Sequence, residues 1–172
     1  QAVDHYIEQS LLLNAAFAND QVIAGRQRAQ AIFAENAFPT LRDEDWQYTK
    51  LTGFVQNRFE ALGKHSVKLD DVHAFLPPYA VTKIVFVDGW FSEELSDDLS
   101  VLPNGVSFES TRDVFEVPGA TDQFFDREDI INKTPFGVLN SLLMVDGFYL
   151  QISKNTVVET PIFILYVQSQ DN

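Results

Sequence analysis

Residues 38–51 read FPTLRDEDWQYTKL and divide the chain into two parts of different character. The residues before them are rich in alanine and other good helix formers, whereas those after them include β-branched and aromatic runs. Pro39 ends the first part, because proline disfavours helical geometry in the residue that precedes it. The sequence therefore predicts a helical segment over residues 1–38, a connector over 39–78 and a strand-rich part over 79–172.

The composition indicates a folded domain with many aromatic side chains in its core. The chain has 172 residues, of which 45% are hydrophobic, and it contains 15 Phe, 5 Tyr and 2 Trp. A chain of this length buries roughly two thirds of the surface that it exposes when unfolded. Each buried ring removes on the order of 150–250 Å2 from water. One compact domain is expected, and intrinsic disorder is not.

Charge and apolar run length argue against several classes of protein. The net charge of −13 repels phosphate backbones and anionic lipid, so no nucleic acid and no membrane surface is an expected partner. No apolar run reaches the ~20 residues of a spanning helix. The absence of cysteine fits a reducing compartment, and we expect the protein to be cytoplasmic. The start lacks Met and a basic flank, so no secretory signal is visible, and the end just after an apolar run suggests a piece of a longer protein.

Two helical periods precede the connector. The first runs over Asp4–Ala18, with apolar residues at helical spacing: Val3, Ile7, Leu11 and Ala15, widened by Tyr6, Leu13 and Phe17. Asn19 and Asp20 then offer a break and an N-cap. The second period continues to about Asn36 through Val22, Arg26, Ala29 and Phe33. This pattern fits either two helices or one bent helix.

The connector contains the start of a short third helix. Thr49 is a suitable cap for it, and the following apolar side chains are three to four positions apart: Leu51, Phe54, Val55 and Phe59. Such a helix would place Trp46 and Tyr48 close to the helical segment.

The strand-rich part combines strands with one helix. The β-branched run 81–87 ends at the turn dipeptide Asp88-Gly89, and Trp90-Phe91 begins the next strand. Further strands are predicted over 106–109, 114–117, 148–152 and 161–167, with a turn at Lys154-Asn155. Thr134 and Pro135 begin a helix that ends at Asp146-Gly147 and buries Val138, Leu139, Leu142 and Leu143.

The sequence lacks the common catalytic and nucleotide-binding motifs. Gly63-Lys64 is followed by His65, and no glycine lies five residues before Gly63, so a phosphate-binding loop is excluded. The dinucleotide fingerprint, the zinc-protease helix motif and the serine nucleophile elbow are missing as well. No catalytic, cofactor-binding or metal-binding residue is therefore assigned.

Acidic clusters and histidines leave two interpretations open. The clusters lie at 43–45, 93–94, 97–98 and 126–129. Paired carboxylates perform acid–base chemistry when burial separates their pKa values, whereas neighbours in a run usually point into water in different directions. His65 and His73 could join carboxylates in a metal site, or could act, like His5, as surface or helix-end hydrogen-bonding groups.

The connector also contains a small signature cluster of Arg42, Trp46 and Tyr48. These residue types are common anchors of protein interfaces, so the cluster is a candidate recognition surface. The other interpretation is structural: Trp46 and Tyr48 attach the connector to the core, and Arg42 pairs with a neighbouring carboxylate.

Three ordered segments of the chain together resemble one family. The first is 38–51, the second is 84–89 with Leu95-Ser96-Asp97 after it, and the third combines Leu139-Asn140, Asp146-Gly147 and Pro161-Ile162. They are similar to the N-terminal region of SufD, a scaffold subunit of the SUF iron–sulfur cluster assembly system. Gln47 and Lys50 stand where that family commonly has Lys and Pro.

The resemblance implies an α+β fold in which a helical segment precedes a mixed α/β region with short strands, ending where a right-handed β-helix would begin. It also implies two partners, a SufB-like subunit and a SufC-like ABC-type ATPase, contacted mostly through regions beyond this fragment. The assembled complex handles an iron–sulfur cluster and its ATPase uses ATP. The cysteine and histidine positions implicated in cluster assembly belong to the later part, so no cofactor is expected in this fragment.

The preferred hypothesis is a noncatalytic N-terminal domain of a SufD-like scaffold that acts through protein–protein contacts. The alternative, based only on the acidic clusters, is a small carboxylate-dependent metal-binding or hydrolase domain. An isolated interaction module is a third possibility, and it merges with the first if the chain is part of a longer protein.

Overall fold

The computed structural model describes residues 2–15, 20–60, 63, 65–117 and 134–169. It has the predicted α+β fold of helices and short strands. The elements in chain order are α1 (Ala2–Asn14), α2 (Asp20–Asn36), a 3-10 helix (Glu44–Trp46), α3 (Thr52–Asn57), α4 (Leu69–His73), β1 (Thr82–Val87), β2 (Trp90–Phe91), a second 3-10 helix (Leu99–Val101), β3 (Val106–Ser110), α5 (Thr111–Glu116), α6 (Pro135–Leu143), β4 (Phe148–Ile152) and β5 (Ile162–Val167). Among these described helices, none has the length and hydropathy needed to cross a membrane.

The elements group into two compact units. The helical unit is built from residues within 1–61 and 115–144, and the sheet unit from residues within 62–114 and 145–171. The division of the chain into three segments at residues 38 and 78 stays a prediction. A β-helix after this region stays a prediction as well.

The two predicted helical periods form α1 and α2, but only part of the stripe predicted for α1 is buried. Its buried residues are Tyr6, Ser10 and Leu13, whereas Leu11 is 55% exposed. Val3 and Ile7 of the predicted row are partly buried against the core, Tyr6 and Leu13 are buried as predicted, and Leu11 and Ala15 are exposed. The end of the first period at 16–18 and the break at Asn19 lie outside the described residues.

α2 ends at Asn36, as predicted. Ala37 adopts a left-handed conformation with φ 52°, and its N–H donates to the Phe33 carbonyl at 2.9 Å. Pro39 follows, so the chain cannot continue as a helix. The Phe38 ring then packs edge-on against Phe33, with 5.1 Å between ring centroids.

The helical unit has the predicted aromatic core. Its buried members are Tyr6, Ala29, Phe33, Val138, Leu139 and Leu142. The Tyr6 ring lies 5.6 Å from the Phe38 ring and 6.2 Å from the Phe54 ring. Ring pairs at such distances contribute about 0.5–1.5 kcal/mol beyond the area they bury.

α3 is shorter than predicted and begins later. Thr49 is not its cap: the N–H of Thr49 donates to the Trp46 carbonyl at 2.9 Å and closes the turn after the 3-10 helix. α3 then starts at Thr52 and ends at Asn57, because Arg58 is left-handed with φ 48°. Phe59 is therefore not helical, although its ring still packs at 5.3 Å on Phe54.

α6 has the predicted beginning and an earlier end. The Thr134 hydroxyl accepts a hydrogen bond from the Gly137 N–H at 3.0 Å, and Pro135 occupies the first turn. The helix stops at Leu143 rather than at Asp146, because Met144 turns to an extended backbone with ψ 127°.

β1 is the centre of a three-stranded sheet with the order β2-β1-β5. β2 is antiparallel to β1, and β5 is parallel to β1 with Thr82 opposite Ile162 and Val87 opposite Val167. The turn between β1 and β2 has φ 52° at Asp88 and 85° at Gly89, which is the predicted tight hairpin geometry. A side chain at Gly89 would also approach the Val145 side chain to 3.0 Å.

β3 and β4 form a second, two-stranded antiparallel sheet in which Val106 lies opposite Ile152 and Ser110 opposite Phe148. The predicted turn at Lys154-Asn155 is confirmed, with Asn155 at φ 66°. The predicted strand over 114–117 is wrong, since this segment belongs mostly to α5. The Ser110 hydroxyl accepts from the Asp113 N–H at 3.2 Å and caps a helix there.

Candidate functional site

The connector is held by a turn around Asp43. Its carboxylate accepts hydrogen bonds from the Thr40 N–H at 2.7 Å and the Thr40 hydroxyl at 3.0 Å, and these bonds lower the pKa of Asp43. The 3-10 helix follows, and the Trp46 ring at its end packs on Phe136 of α6 at 5.3 Å. Trp46 therefore attaches the connector to the helical unit, as the structural interpretation predicted.

Tyr48 and Arg42 do not follow that interpretation. Tyr48 is 93% exposed, so it does not attach the connector to the core. Arg42 is also exposed, and its guanidinium forms no ion pair with a carboxylate in the described part of the chain. Leu41 beside it is 54% exposed. The structure thus separates the signature cluster into one anchored ring and an exposed group of Leu41, Arg42 and Tyr48.

Arg26, one of the residues of the second helical period, is a buried cation. Its guanidinium donates to the Asn14 side chain at 3.1 Å and to the Met144 carbonyl at 2.6 Å. Burial lowers the pKa of Arg26 to about 10, so the side chain stays charged near neutral pH. The cation therefore joins the ends of α1 and α6, where the helix dipole favours positive charge.

Asp88 organises the first polar cluster of the sheet unit. Its carboxylate is fully buried and accepts from the Ser169 N–H at 2.9 Å and the Ser169 hydroxyl at 2.5 Å, while His65 Nδ1 lies 2.9 Å away. Burial by itself raises the pKa of Asp88, but the bonds from Ser169 and His65 outweigh it and hold the pKa below its ordinary value. Both partners bind the carboxylate rather than each other, so the cluster lacks the Ser–His–Asp order of a nucleophilic triad.

Asp146 organises the second polar cluster. One carboxylate oxygen accepts from the Phe91 N–H at 3.0 Å. The other accepts from the Thr111 hydroxyl at 3.1 Å, the Arg112 N–H at 3.3 Å and the Gly147 N–H at 2.8 Å. One side chain thereby joins β2, the start of α5 and the start of β4. The Arg112 guanidinium also lies 5.9 Å from the Trp90 ring.

The carboxylates of the acidic pair Asp97-Asp98 also accept hydrogen bonds from backbone N–H groups. The Asp97 carboxylate accepts from the Lys83 N–H at 2.7 Å and lies 3.6 Å from the Lys83 ammonium. The Asp98 carboxylate accepts from the Ser100 N–H at 2.9 Å and caps the second 3-10 helix, which lowers the pKa of Asp98. None of these contacts joins either side chain to another carboxylate.

These contacts decide between the two interpretations of the acidic residues. Asp43, Asp88, Asp97, Asp98 and Asp146 each accept a backbone N–H, and the resolved pKa shifts in this set are downward. A general acid at neutral pH needs a raised carboxyl pKa. These five carboxylates therefore serve as backbone acceptors, while the cluster at 126–129 lies outside the described residues.

The histidines likewise do not converge. His5 Nε2 lies 2.9 Å from the Phe59 carbonyl, and His73 is exposed at the end of α4. Within the residues that the structure describes, no three His, Cys, Asp or Glu side chains are close enough to hold a metal ion.

Sequence reasoning recognised Asp88 and Asp146 only as turn residues and Arg26 only as part of a helical period. An acid directly before glycine was the available signal for both carboxylates, since that pair is typical of tight turns. A charged residue on the predicted apolar stripe was the signal for Arg26.

Comparison with known proteins agrees with the resemblance. The family described as SufBD protein N-terminal region matches residues 1–164. An iron–sulfur cluster assembly SufBD family protein from Synechocystis is 30% identical over 180 aligned positions, which cover 99% of this chain and 36% of the relative. The chain thus spans about a third of the length of the curated relative that it matches.

Proposed function

The chain belongs to the SufBD family, and we propose that it is a noncatalytic N-terminal domain of a SufD-like scaffold that acts in iron–sulfur cluster assembly. Its role is to contact other proteins and position them. The main support is the use of polar groups: Asp43, Asp88 and Asp146 of the family-like segments each accept backbone N–H groups, and the histidine beside Asp88 contacts the carboxylate without a nucleophile bonded to the ring. Because these aspartates stabilise turns, protein contact is a better-supported role for the domain than catalysis.

The exposed group of Leu41, Arg42 and Tyr48 is the proposed contact surface. Tyr and Arg are enriched among interface anchors, because a ring or a guanidinium offers a large contact area with a polar end. An anchored Trp46 fixes the segment from which these side chains project. The surface is therefore held in place by the fold and remains accessible to a partner.

The proposed partners are a SufB-like subunit and a SufC-like ABC-type ATPase, with the cytoplasm as the compartment. Most of their contacts would involve regions outside residues 1–172. The experiment is copurification of the full-length protein with both partners. We expect a stable complex, and a lone monomer that binds neither partner would contradict the proposal.

The contact surface has its own test. Tyr48→Ala in the full-length protein should weaken partner binding by at least about 10-fold, as expected of an interface anchor. Tyr79→Ala is the matched control, because Tyr79 is 63% exposed but lies in the sheet unit. Equal losses in the two variants would argue against a specific surface on the connector.

The metal-binding or hydrolase alternative can be tested directly on the 172-residue chain. Titration calorimetry with divalent ions and a panel of hydrolase substrates should both be silent. Saturable binding of an ion, or turnover of a substrate, would replace the scaffold proposal.

A further inference from the structure

Residues 40–49 of the connector form three consecutive turns, each of which begins at the residue where the previous one ends. The Thr40 carbonyl accepts from the Asp43 N–H at 3.0 Å, and the Asp43 carbonyl accepts from the Trp46 N–H at 2.9 Å. The Trp46 carbonyl then accepts from the Thr49 N–H at 2.9 Å. Asp43 is therefore the residue that the first two turns share.

Side chains close the first turn a second time. The Thr40 N–H and the Thr40 hydroxyl donate to one oxygen of the Asp43 carboxylate at 2.7 and 3.0 Å. As in a capping box, an acid thus satisfies the N–H of a hydroxyl residue three positions earlier. The Thr40 hydroxyl also accepts from the Arg42 N–H at 3.2 Å. The two residues inside this turn, Leu41 and Arg42, are therefore held from both ends.

The closed turn also determines what the Arg42 side chain can bind. Asp43 is the acid next to Arg42 in the sequence, but its carboxylate bonds to Thr40 instead. Within residues 20–60 the Arg42 guanidinium forms no ion pair with a carboxylate. Arg42 is exposed, while its backbone N–H is fixed by the Thr40 hydroxyl. The turn therefore holds the backbone of Arg42 and leaves its cationic end for a partner.

The second turn connects this exposed pair to the anchored ring. Asp43 has an extended backbone with φ −80° and ψ 126°, and the 3-10 helix that ends at Trp46 begins directly after it. The Trp46 ring packs on α6 with 5.3 Å between ring centroids. Because Asp43 lies between the exposed pair and the anchor, its bonds set how Leu41 and Arg42 are presented relative to Trp46.

We propose that Asp43 is a positioning residue of the contact surface: its carboxylate holds Leu41 and Arg42 in a preformed turn, which a partner binds without having to order it. A loop that already has its bound conformation avoids the entropy loss that a flexible loop suffers on binding. Asp43 acts through its neighbours and does not itself have to touch the partner. This inference rests on the proposed function, because it concerns the same surface of Leu41, Arg42 and Tyr48.

Binding of the full-length protein to the purified SufB-like subunit tests the proposal. Asp43→Ala removes the acceptor of Thr40 and should weaken binding about 5-fold, because the turn must then be ordered on binding. Asp45→Ala is the matched control, since it removes the same charge from an exposed position of the same acidic run and should change binding less than about 2-fold. Asp43→Asn keeps a side-chain oxygen that accepts from Thr40, so it should retain most of the affinity.

A double-mutant cycle separates positioning from a general loss of stability. In a background with both Leu41→Ala and Arg42→Ala, the side chains that Asp43 positions are gone, so Asp43→Ala should weaken binding less than about 2-fold further. In a Tyr48→Ala background the loss of about 5-fold should persist, because Tyr48 lies in the third turn. The denaturant midpoint of the Asp43→Ala variant should equal that of the unmodified protein.

Three results would overturn the role of Asp43. The Asp43→Ala and Asp45→Ala variants could bind equally well, the loss could persist in full without the Leu41 and Arg42 side chains, or the denaturant midpoint could fall together with the affinity. Failure of the proposed function looks different: Tyr48→Ala and the combined Leu41→Ala and Arg42→Ala changes would then also leave binding unchanged.

Discussion

The helical unit and the sheet unit are stabilised by different interactions. The helical unit buries a group of rings around Tyr6 and Phe33, with Arg26 as its buried cation. The sheet unit has an aliphatic cluster around Val72 and Val85 and a group of rings around Phe86, and its turns are fastened by Asp88 and Asp146. Burial should therefore dominate the first unit, and charge-assisted hydrogen bonds should matter more in the second.

The two tryptophans make this comparison measurable. Trp46 belongs to the helical unit and Trp90 to the sheet unit, and the chain has no other tryptophan. A Trp90→Phe background leaves Trp46 as the fluorescence reporter of the helical unit, and a Trp46→Phe background leaves Trp90 as the reporter of the sheet unit.

Phe33→Ala should give the largest effect. Phe33 is 1% exposed, and truncating a buried ring lowers the free energy of unfolding by about 3–5 kcal/mol. The loss should be read in a denaturant titration through Trp46. Leu12→Ala is the control on α1, since Leu12 is 67% exposed and should change stability by less than about 0.5 kcal/mol.

Asp146→Ala should be the strongest single change in the sheet unit. It leaves the N–H groups of Phe91, Arg112 and Gly147 without their acceptor, which should cost about 2–4 kcal/mol. The measurement is the denaturant midpoint followed by Trp90. Asp45→Ala, at an exposed position, is the control, and equal midpoints for the two variants would show that the carboxylate does not stabilise these turns.

Arg26→Lys should have an intermediate effect in the helical unit. A lysine ammonium lacks the fork that reaches both Asn14 and Met144, so one of the two acceptors loses its donor at a cost of about 1–2 kcal/mol. The exposed Arg42→Lys is the matched control. If Arg26→Lys left the stability unchanged, the two-pronged geometry of the guanidinium would not be needed.

The stability of the sheet unit should depend on pH through Asp88. The folded pKa of Asp88 is below its unfolded value, so its contribution is fully present above the unfolded value of about 3.9 and is lost as the pH falls through the folded pKa. Asp88→Asn should flatten the acid loss of stability seen through Trp90. A slope unaltered by Asp88→Asn would contradict the assignment.

Tyr48→Ala should have the smallest effect on stability. A side chain that is 93% exposed contributes little to packing, so the midpoints read by both tryptophans should move by less than about 0.5 kcal/mol. A clear loss of stability would show that Tyr48 packs in solution and would remove it from the proposed contact surface.

Local sequence signals predicted most helices, strands and turns, but fewer of the contacts that their side chains make. The Thr134-Pro135 start of α6 and the Asp88-Gly89 turn were correct because capping and positive φ depend on adjacent residues. The strand predicted over 114–117 was wrong because the Ser110 cap favoured a helix over the β-branched pattern. Thr49 was equally plausible as a cap, but the helix begins only at Thr52, with Leu51 at the cap position.

The sequence alone determined the α+β class, the order of most helices and strands, and the resemblance to the SufBD family, because periodicity, turn chemistry and motif order are local properties of the chain. Tertiary structure alone decided that Leu11 of the predicted stripe is exposed and that Trp46 is anchored while Tyr48 is exposed. It also gave Asp146 and Asp88 donors 55 and 81 residues away. Such contacts depend on which elements meet after folding, and no spacing within one segment encodes them.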